Sequence, residues 1–373
     1  MNMQQNFSYP FLFCTGALLT IGLVFTYSAS CIFALEVYGS AHYFFIKQLL
    51  GTLAGLLGMV LIRALPPDIL SRFTPLFFLV SLAATAGTLV PGIGRSIHGS
   101  RRWLALGPIS FQPSELLKIA FILYVAWLLA KKKPSQNHLF STYVPLLAIM
   151  GITAVLLMQQ PDFGQMVTLS TTAFLLCFVA QINIYYLIGT FIPVVPLIAL
   201  LIYLKPYRLQ RVLTFLNPWA DPRGSGFQII QSLIAIGSGG CGGVGVSHSK
   251  QKFFYLPMQH TDFIFSIIAE ETGFIGSCII ISLYLFFLYY GIKIGLSLRS
   301  RFTSLYTLGF TFLITLQALI NLAVATGLLP TKGIGLPFIS YGNSSLIAHL
   351  IMIGLILNGL KNNRFLQQKP TFL

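Results

Sequence analysis

Apolar runs of about 20 residues recur along the chain, near 11–35, 43–62, 74–91, 115–130, 143–158, 165–181, 184–204, 263–292, 304–328 and 344–360, with short polar punctuation between them. A helix of roughly that length is what crossing the ~30 Å hydrocarbon core of a bilayer requires. The pattern predicts an all-α integral membrane protein, a polytopic bundle of about ten transmembrane helices with a large extracytoplasmic loop, 205–262, between spans seven and eight. Residues 1–373 read as a single transmembrane domain. The opening MNMQQNFSYP lacks a basic n-region and the first apolar run outlasts that of a signal peptide, so the first run reads as a retained span.

Composition agrees: 55% of residues are hydrophobic and 8% are charged, against about 25% charged in soluble domains. The five cysteines show no CxxC spacing and read as small apolar fillers rather than a disulfide framework or zinc site. The net charge of +15 is scattered between apolar runs, which points to membrane lipids rather than to nucleic acid.

Charge asymmetry sets the orientation. Connections after even-numbered spans and the C-terminal tail carry eleven cations (Arg63, Arg72, Lys131, Lys132, Lys133, Lys293, Arg299, Arg301, Lys361, Arg364, Lys369), against four (Arg95, Arg101, Arg102, Lys332) in the short loops of the other side. The long loop is left out of the count because long segments translocate regardless of charge. Both termini are therefore expected in the cytoplasm. Every long polar segment, 92–114, 205–262 and 329–343, then faces outward, and the long loop adds Lys205, Arg208, Arg211, Arg223, Lys250 and Lys252. Lipid headgroups account for any one of these cations; an anionic substrate accounts better for the set.

Only eight acidic residues are present, so a carboxylate mechanism has few candidates. Glu36 and Asp68 read as solvated. Asp221 sits in NPWADPRGSG, a turn-rich stretch in which Asp bonds its own backbone. Asp162, in QQPDFGQ, is placed to cap the following span. Glu115 and Lys118 share a helix face at the start of a span and read as a pair lining a cavity, in a structural or a substrate-orienting role. Asp262 stands apart, because in YLPMQHTDFIF a cation-rich loop meets an apolar helix at the outer boundary. The helix beyond is about 30 residues, or ~45 Å, so its first turns should stand clear of lipid or kink near Gly273 and Gly276. Glu270 and Glu271 lie two turns further in and read as partners for loop cations or other helices.

Other motifs fail their context. The GxGxxG formed by Gly237, Gly239 and Gly242 follows no strand and faces outward, so it reads as a flexible loop rather than a dinucleotide site. His98, His248 and His260 show no paired metal-ligand spacing, and a metal site formed with Asp262 is the minor alternative. No cofactor is called for, and a divalent cation is left open.

The stretches GSRRWLALGPISFQPSELLK (99–118), PDFG (161–164), PYRLQRVLTFLNPWADPRGSGFQIIQS (206–232), LPMQHTDFIFSIIAEETGFIG (256–276) and LPTKGIGLPFISYGNSS (329–345) closely resemble the SEDS family (shape, elongation, division and sporulation) across nearly the whole chain. LPTKGIGLPFISYG looks like the division branch or its sporulation relative; the elongation branch usually lacks the Thr-Lys pair. In two departures, Asn343 replaces the glycine usual after ISYG, and Ser110 stands where some division relatives carry a basic residue.

The resemblance implies a peptidoglycan glycosyltransferase that polymerises lipid II into β-1,4 glycan strands with release of undecaprenyl diphosphate, for septal wall synthesis. It implies that Asp262 is the catalytic carboxylate and that Arg102, Trp103, Lys118 and Lys332 belong to an outward cavity. Partners implied or expected are lipid II, a class B penicillin-binding transpeptidase with a single span, other division proteins and membrane lipids. Arg101, Glu115, Arg208, Arg211 and Ser340 complete the expected substrate-binding set. Forming a β-1,4 link from an α-linked sugar diphosphate inverts the anomeric carbon. That needs one base, Asp262, and cations rather than a second carboxylate, here Arg101, Arg102, Lys118 and Lys332, hold the leaving diphosphate. A lipid II flippase and a non-catalytic scaffold that recruits the transpeptidase are the rival readings. The crowding of polar groups at one boundary argues against a carrier, which needs contacts near the midplane.

Overall fold

The computed structural model describes residues 3–97, 100–106, 109–131, 139–253, 256–257 and 259–368. His98, Lys132, Lys133 and Lys369, and positions 99, 107, 108 and 258 of the motifs above, lie outside the described residues. The ten apolar runs appear as ten helices: α1 (Met3–Tyr38), α2 (Tyr43–Ala64), α3 (Pro67–Gly87), α4 (Pro113–Ala130), α5 (Val144–Gln159), α6 (Phe163–Val179), α7 (Ile184–Tyr203), α10 (Ile264–Ser297), α11 (Arg301–Ala325) and α12 (Asn343–Gln368). The long loop contributes two more, α8 (Pro206–Leu216) and α9 (Phe227–Ser238).

Eight of the ten are long and apolar enough to cross a membrane. The other two, α5 with 16 residues and α6 with 17, reach only ~24–26 Å at 1.5 Å per residue. A π-helical turn at Leu139–Tyr143 prolongs α5. The chain is a multi-pass membrane protein, and a helix is the form that satisfies every backbone group within its own segment in lipid.

The all-α expectation misses a three-stranded antiparallel sheet of β1 (Gly94–Ile97), β2 (Ser100–Leu106) and β3 (Ile109–Phe111). It lies in a short polar segment where no apolar periodicity announces a strand. Connections after α1, α3, α5, α7 and α11 meet at one end of the bundle, together with the sheet, α8 and α9. This loop end carries the site.

Helices α4, α11 and α12 form the buried centre, whereas α7 buries only Leu187. Close approach of α12 to α2 rests on small residues. A Cβ on Gly55 would lie 2.5 Å from Leu350 and 3.3 Å from the Ile347 backbone; without a hydrophobic drive in lipid, packing of this kind holds helices together.

The expected break in α10 is found at Gly273, which has φ 66° and ψ −159°. The loop after α9 fills it: Phe274 N–H donates to Gly240 O at 2.9 Å, Val244 N–H to Glu270 O at 3.0 Å and Gly245 N–H to Glu271 O at 3.0 Å. The glycine-rich stretch read as flexible is therefore a packed wedge, and its glycines admit backbone against backbone. Because Gly273 has positive φ and its Cβ would stand 2.4 Å from Gly243 N, Gly273→Ala is expected to strain the junction by ~1–3 kcal/mol. The measurement is the apparent melting temperature of the solubilised protein; an unchanged value would show that the wedge is not a structural joint.

Candidate active site

Sheet register aims the first site residue. Arg95 pairs with Trp103 and Ser96 with Arg101, so Arg102 is the extra residue of a β-bulge, a device that redirects a side chain. Its guanidinium donates from Nε to Gln160 O at 2.8 Å and from Nη2 to Pro161 O at 2.7 Å, and Nη1 stands 3.4 Å from Asp162. Asp162 in turn caps α6, accepting from Gln165 N–H at 3.3 Å. One arginine thus ties the sheet to the α5–α6 turn, and Asp162 has the capping role expected of it.

Asp262 lies two residues before α10 in a segment with no regular structure. Its backbone is held from α11 and from the 330–341 loop. Asn321 Nδ2 donates to Asp262 O at 2.8 Å and to Ile334 O at 2.7 Å. Ser340 Oγ donates to Thr261 O at 2.5 Å and accepts from Leu336 N–H at 2.7 Å, and Tyr341 N–H donates to His260 O at 2.9 Å. The half-buried carboxylate makes no hydrogen bond or ion pair among the described residues. Burial pushes its pKa up to about 6; Arg211 and then Arg102 pull it down, and Asp162 adds to the rise.

The carboxylate opens on a cavity of about 1030 Å³ at the loop end. Asp262, Arg102, Trp103, Glu115, Lys118, Arg208, Arg211, Lys332 and Ser340 all line it. Arg101 does not; it is exposed, because the bulge puts Arg102 and not its neighbour inward. Two of the lining cations are already paired, Arg102 with Asp162 and Lys118 with Glu115 at 2.6 Å. The other three have no carboxylate partner among the described residues. Arg208 donates to Leu201 O at 3.1 Å and sits 5.5 Å from the Phe163 ring. Arg211 donates to Thr331 O at 2.8 Å and lies 4.4 Å over Tyr207. Lys332 stands 5.3 Å from the Phe163 ring, its pKa lowered by burial. Three such cations sharing a cavity with one unpaired carboxylate suit a substrate with a multiply charged oxyanion and a hydroxyl to be deprotonated.

A family profile of cell cycle proteins, FtsW/RodA/SpoVE, matches residues 9–364. The chain is 38% identical over 358 residues to the Probable peptidoglycan glycosyltransferase FtsW of Geobacter sp. (strain M18), covering 96% of this chain and 98% of that one. To the Stage V sporulation protein E of Bacillus subtilis (strain 168) it is 39% identical over 353 residues, 94% of this chain and 96% of that one. A chain of a solved peptidoglycan synthase complex superposes with a TM-score of 0.79 at 32% identity, covering 95% of this chain and 98% of its own. The Rod shape determining protein RodA of Thermus thermophilus superposes at 0.71 with 28% identity, covering 95% and 97%. This chain belongs to the FtsW/RodA/SpoVE family.

Other residues of this family member fall where their chemistry sends them. Asp221 is exposed and bonds its own turn, accepting from Ser225 N–H at 2.8 Å and Gly224 N–H at 3.0 Å; those bonds, led by Ser225, hold its carboxyl below the usual range. Glu271 pairs with Lys252 at 3.3 Å and accepts from Ser28 Oγ at 2.8 Å, and Glu270 accepts from Ser249 Oγ and from Lys250 N–H at 2.9 Å. Both glutamates are spent on fastening the loop to α10 and α1. His260 is buried among Phe33, Phe44 and Tyr341, which pushes its imidazole down to about 4 and keeps it neutral. Ser340 lines the cavity, but its hydroxyl is engaged by Thr261 and Leu336, so it positions the segment that carries Asp262.

Sequence reasoning missed Asn321, Gln317, Gln165 and His349. The last three line the cavity, with His349 Nε2 2.8 Å from Gln317 Oε1. Each is an isolated polar residue in an apolar helix, and that isolation was the available signal.

Proposed function

We propose that this chain is a peptidoglycan glycosyltransferase that polymerises lipid II, with Asp262 as general base. The carrying observation is the pairing of an unpartnered carboxylate, with pKa about 6, with three cations that lack carboxylate partners in one cavity at the loop end. The relatives named as peptidoglycan glycosyltransferases support the reaction class.

In this reading Asp262 takes the proton from the 4-hydroxyl of the acceptor sugar as its oxygen bonds to the donor's anomeric carbon. The bond from that carbon to the diphosphate breaks, and its electron pair leaves on the diphosphate. Attack opposite the leaving group inverts the centre. Arg208, Arg211 and Lys332 stabilise the leaving charge in a site where such interactions are strong.

The loop end then faces the extracytoplasmic side, with both termini in the cytoplasm, at the division septum. The solved complex to which the fold is similar supports a partner, which we take to be a class B penicillin-binding transpeptidase with a single span. A carrier is disfavoured because every element lining the cavity does so from its loop end.

The test is reconstitution with that partner and labelled lipid II across pH, reading glycan polymer and transbilayer scrambling together. A base works deprotonated, so kcat/KM should fall about tenfold per unit as pH drops below ~6 and level off above it. Scrambling without polymer would identify a carrier instead; a chelator arm reads any divalent-cation requirement.

A further inference from the structure

The N-terminus of α12 opens into the same cavity and, unlike that of α6, has no capping side chain among the described residues. Its cap position is Gly342, whose N–H is taken by Gln48 Oε1 at 3.4 Å. The first helical hydrogen bond runs from Leu346 N–H to Gly342 O at 2.9 Å. The N–H groups of Asn343, Ser344 and Ser345 thus precede the first donor of the helix ladder and meet no acceptor among the described residues. Orphan donors at a helix start are normally satisfied by a cap, by water or by a ligand.

A second observation points to a ligand. Ser344 is only 9% exposed, lines the cavity, and its hydroxyl has no hydrogen-bond partner among the described residues. Hydroxyl and N–H donors at the positive end of a 26-residue helix form an anion site by their chemistry alone. Lys118, paired with Glu115 at 2.6 Å, and His349, one turn beyond Ser345 in α12, line the same cavity.

We infer that the first turn of α12, through Ser344 and the N–H groups of residues 343–345, binds the phosphate oxyanions of a second polyprenyl diphosphate. This rests on the proposed reaction: joining two lipid-linked sugars means holding two diphosphates at once. Arg208, Arg211 and Lys332 hold one; the α12 turn holds the other. An anion there takes the place of the missing cap, so binding completes the helix.

The test reads binding without turnover. Full-length protein in phosphatidylcholine nanodiscs is titrated with radiolabelled polyprenyl diphosphate, with inorganic pyrophosphate as competitor. The unaltered protein should bind two equivalents. Ser344→Asp should bind one, because a carboxylate at the helix start favours the helix and repels an anion, so the loss is not one of folding; melting temperature checks that point. Pyrophosphate should displace the Ser344-dependent equivalent, showing that phosphate and not the lipid tail is recognised. Identical stoichiometry in the two proteins, or no displacement by pyrophosphate, overturns the inference. Two-equivalent binding by a protein that makes no polymer would instead sink the catalytic reading and leave this site standing.

Discussion

Asp262→Asn is expected to reduce glycan polymerisation by ~10²–10⁴-fold while leaving the protein as stable as before or more so. The amide keeps the size of the side chain, and the carboxylate it replaces makes no hydrogen bond or ion pair that the fold depends on. Asn321 and Ser340 grip the backbone of this segment, which the substitution leaves intact. The stability effect has a definite sign. The folded pKa, about 6, lies above the ordinary carboxyl value of 3.8, so folding disfavours the charged form, and the cost develops as pH rises between those values. Asn carries no charge to bury. The variant should therefore melt at the same temperature as the parent at acid pH and higher at pH 8, a gain typical of residues kept for chemistry rather than stability. Asp221→Asn should do the reverse: it keeps most of the activity and weakens the turn that Gly224 and Ser225 close on that carboxylate. Near-normal polymer from Asp262→Asn at matched protein levels would remove Asp262 from the chemistry.

Ten helices were legible because crossing a bilayer imposes a minimum apolar length, which eight of the ten meet and α5 and α6 approach. The α10 break was legible for the same reason: the run is too long for the core and contains glycine where a bend costs least. The sheet was not, since β1–β3 stand in a polar segment and pair through backbone, which leaves no hydrophobic alternation to read. At the site, Asp262 stood apart among eight acids by its place where a cation-rich loop meets an apolar helix, and the resemblance implied its catalytic role. Arg101 was misplaced for a geometric reason, as adjacent arginines on a strand cannot be told apart until the register, and here the bulge, is known. Whether a cation was free or paired was equally illegible, because Arg102–Asp162 joins segments 60 residues apart in the chain. Glu115 and Lys118 did declare themselves, being a turn apart on one helix, and they pair at 2.6 Å.

The division between paired and unpaired cations fixes the second large effect. Arg211→Ala should lower kcat for polymerisation by roughly 10²–10³-fold, the loss usual for one preorganised donor at a developing charge. It should also move the acid limb. Arg211 is the strongest electrostatic influence favouring the ionised form of Asp262, so its removal raises that pKa and displaces the limb of kcat/KM above ~6. Arg211→Lys restores the charge and with it the position of the limb, but regains only part of the rate, because an ammonium cannot reproduce the planar fork. Arg102→Ala should shift the limb in the same direction and in addition lower the melting temperature. Its guanidinium serves Gln160 O, Pro161 O and Asp162, and leaving such groups unpaired costs about 1–3 kcal/mol. Arg101→Ala, with its exposed side chain outside the cavity, should do neither. A pH profile of lipid II polymerisation for the four variants, with melting curves alongside, separates these outcomes. Should Arg101→Ala match Arg211→Ala in rate and in the displacement of the limb, the cavity described here is not where the diphosphate leaves.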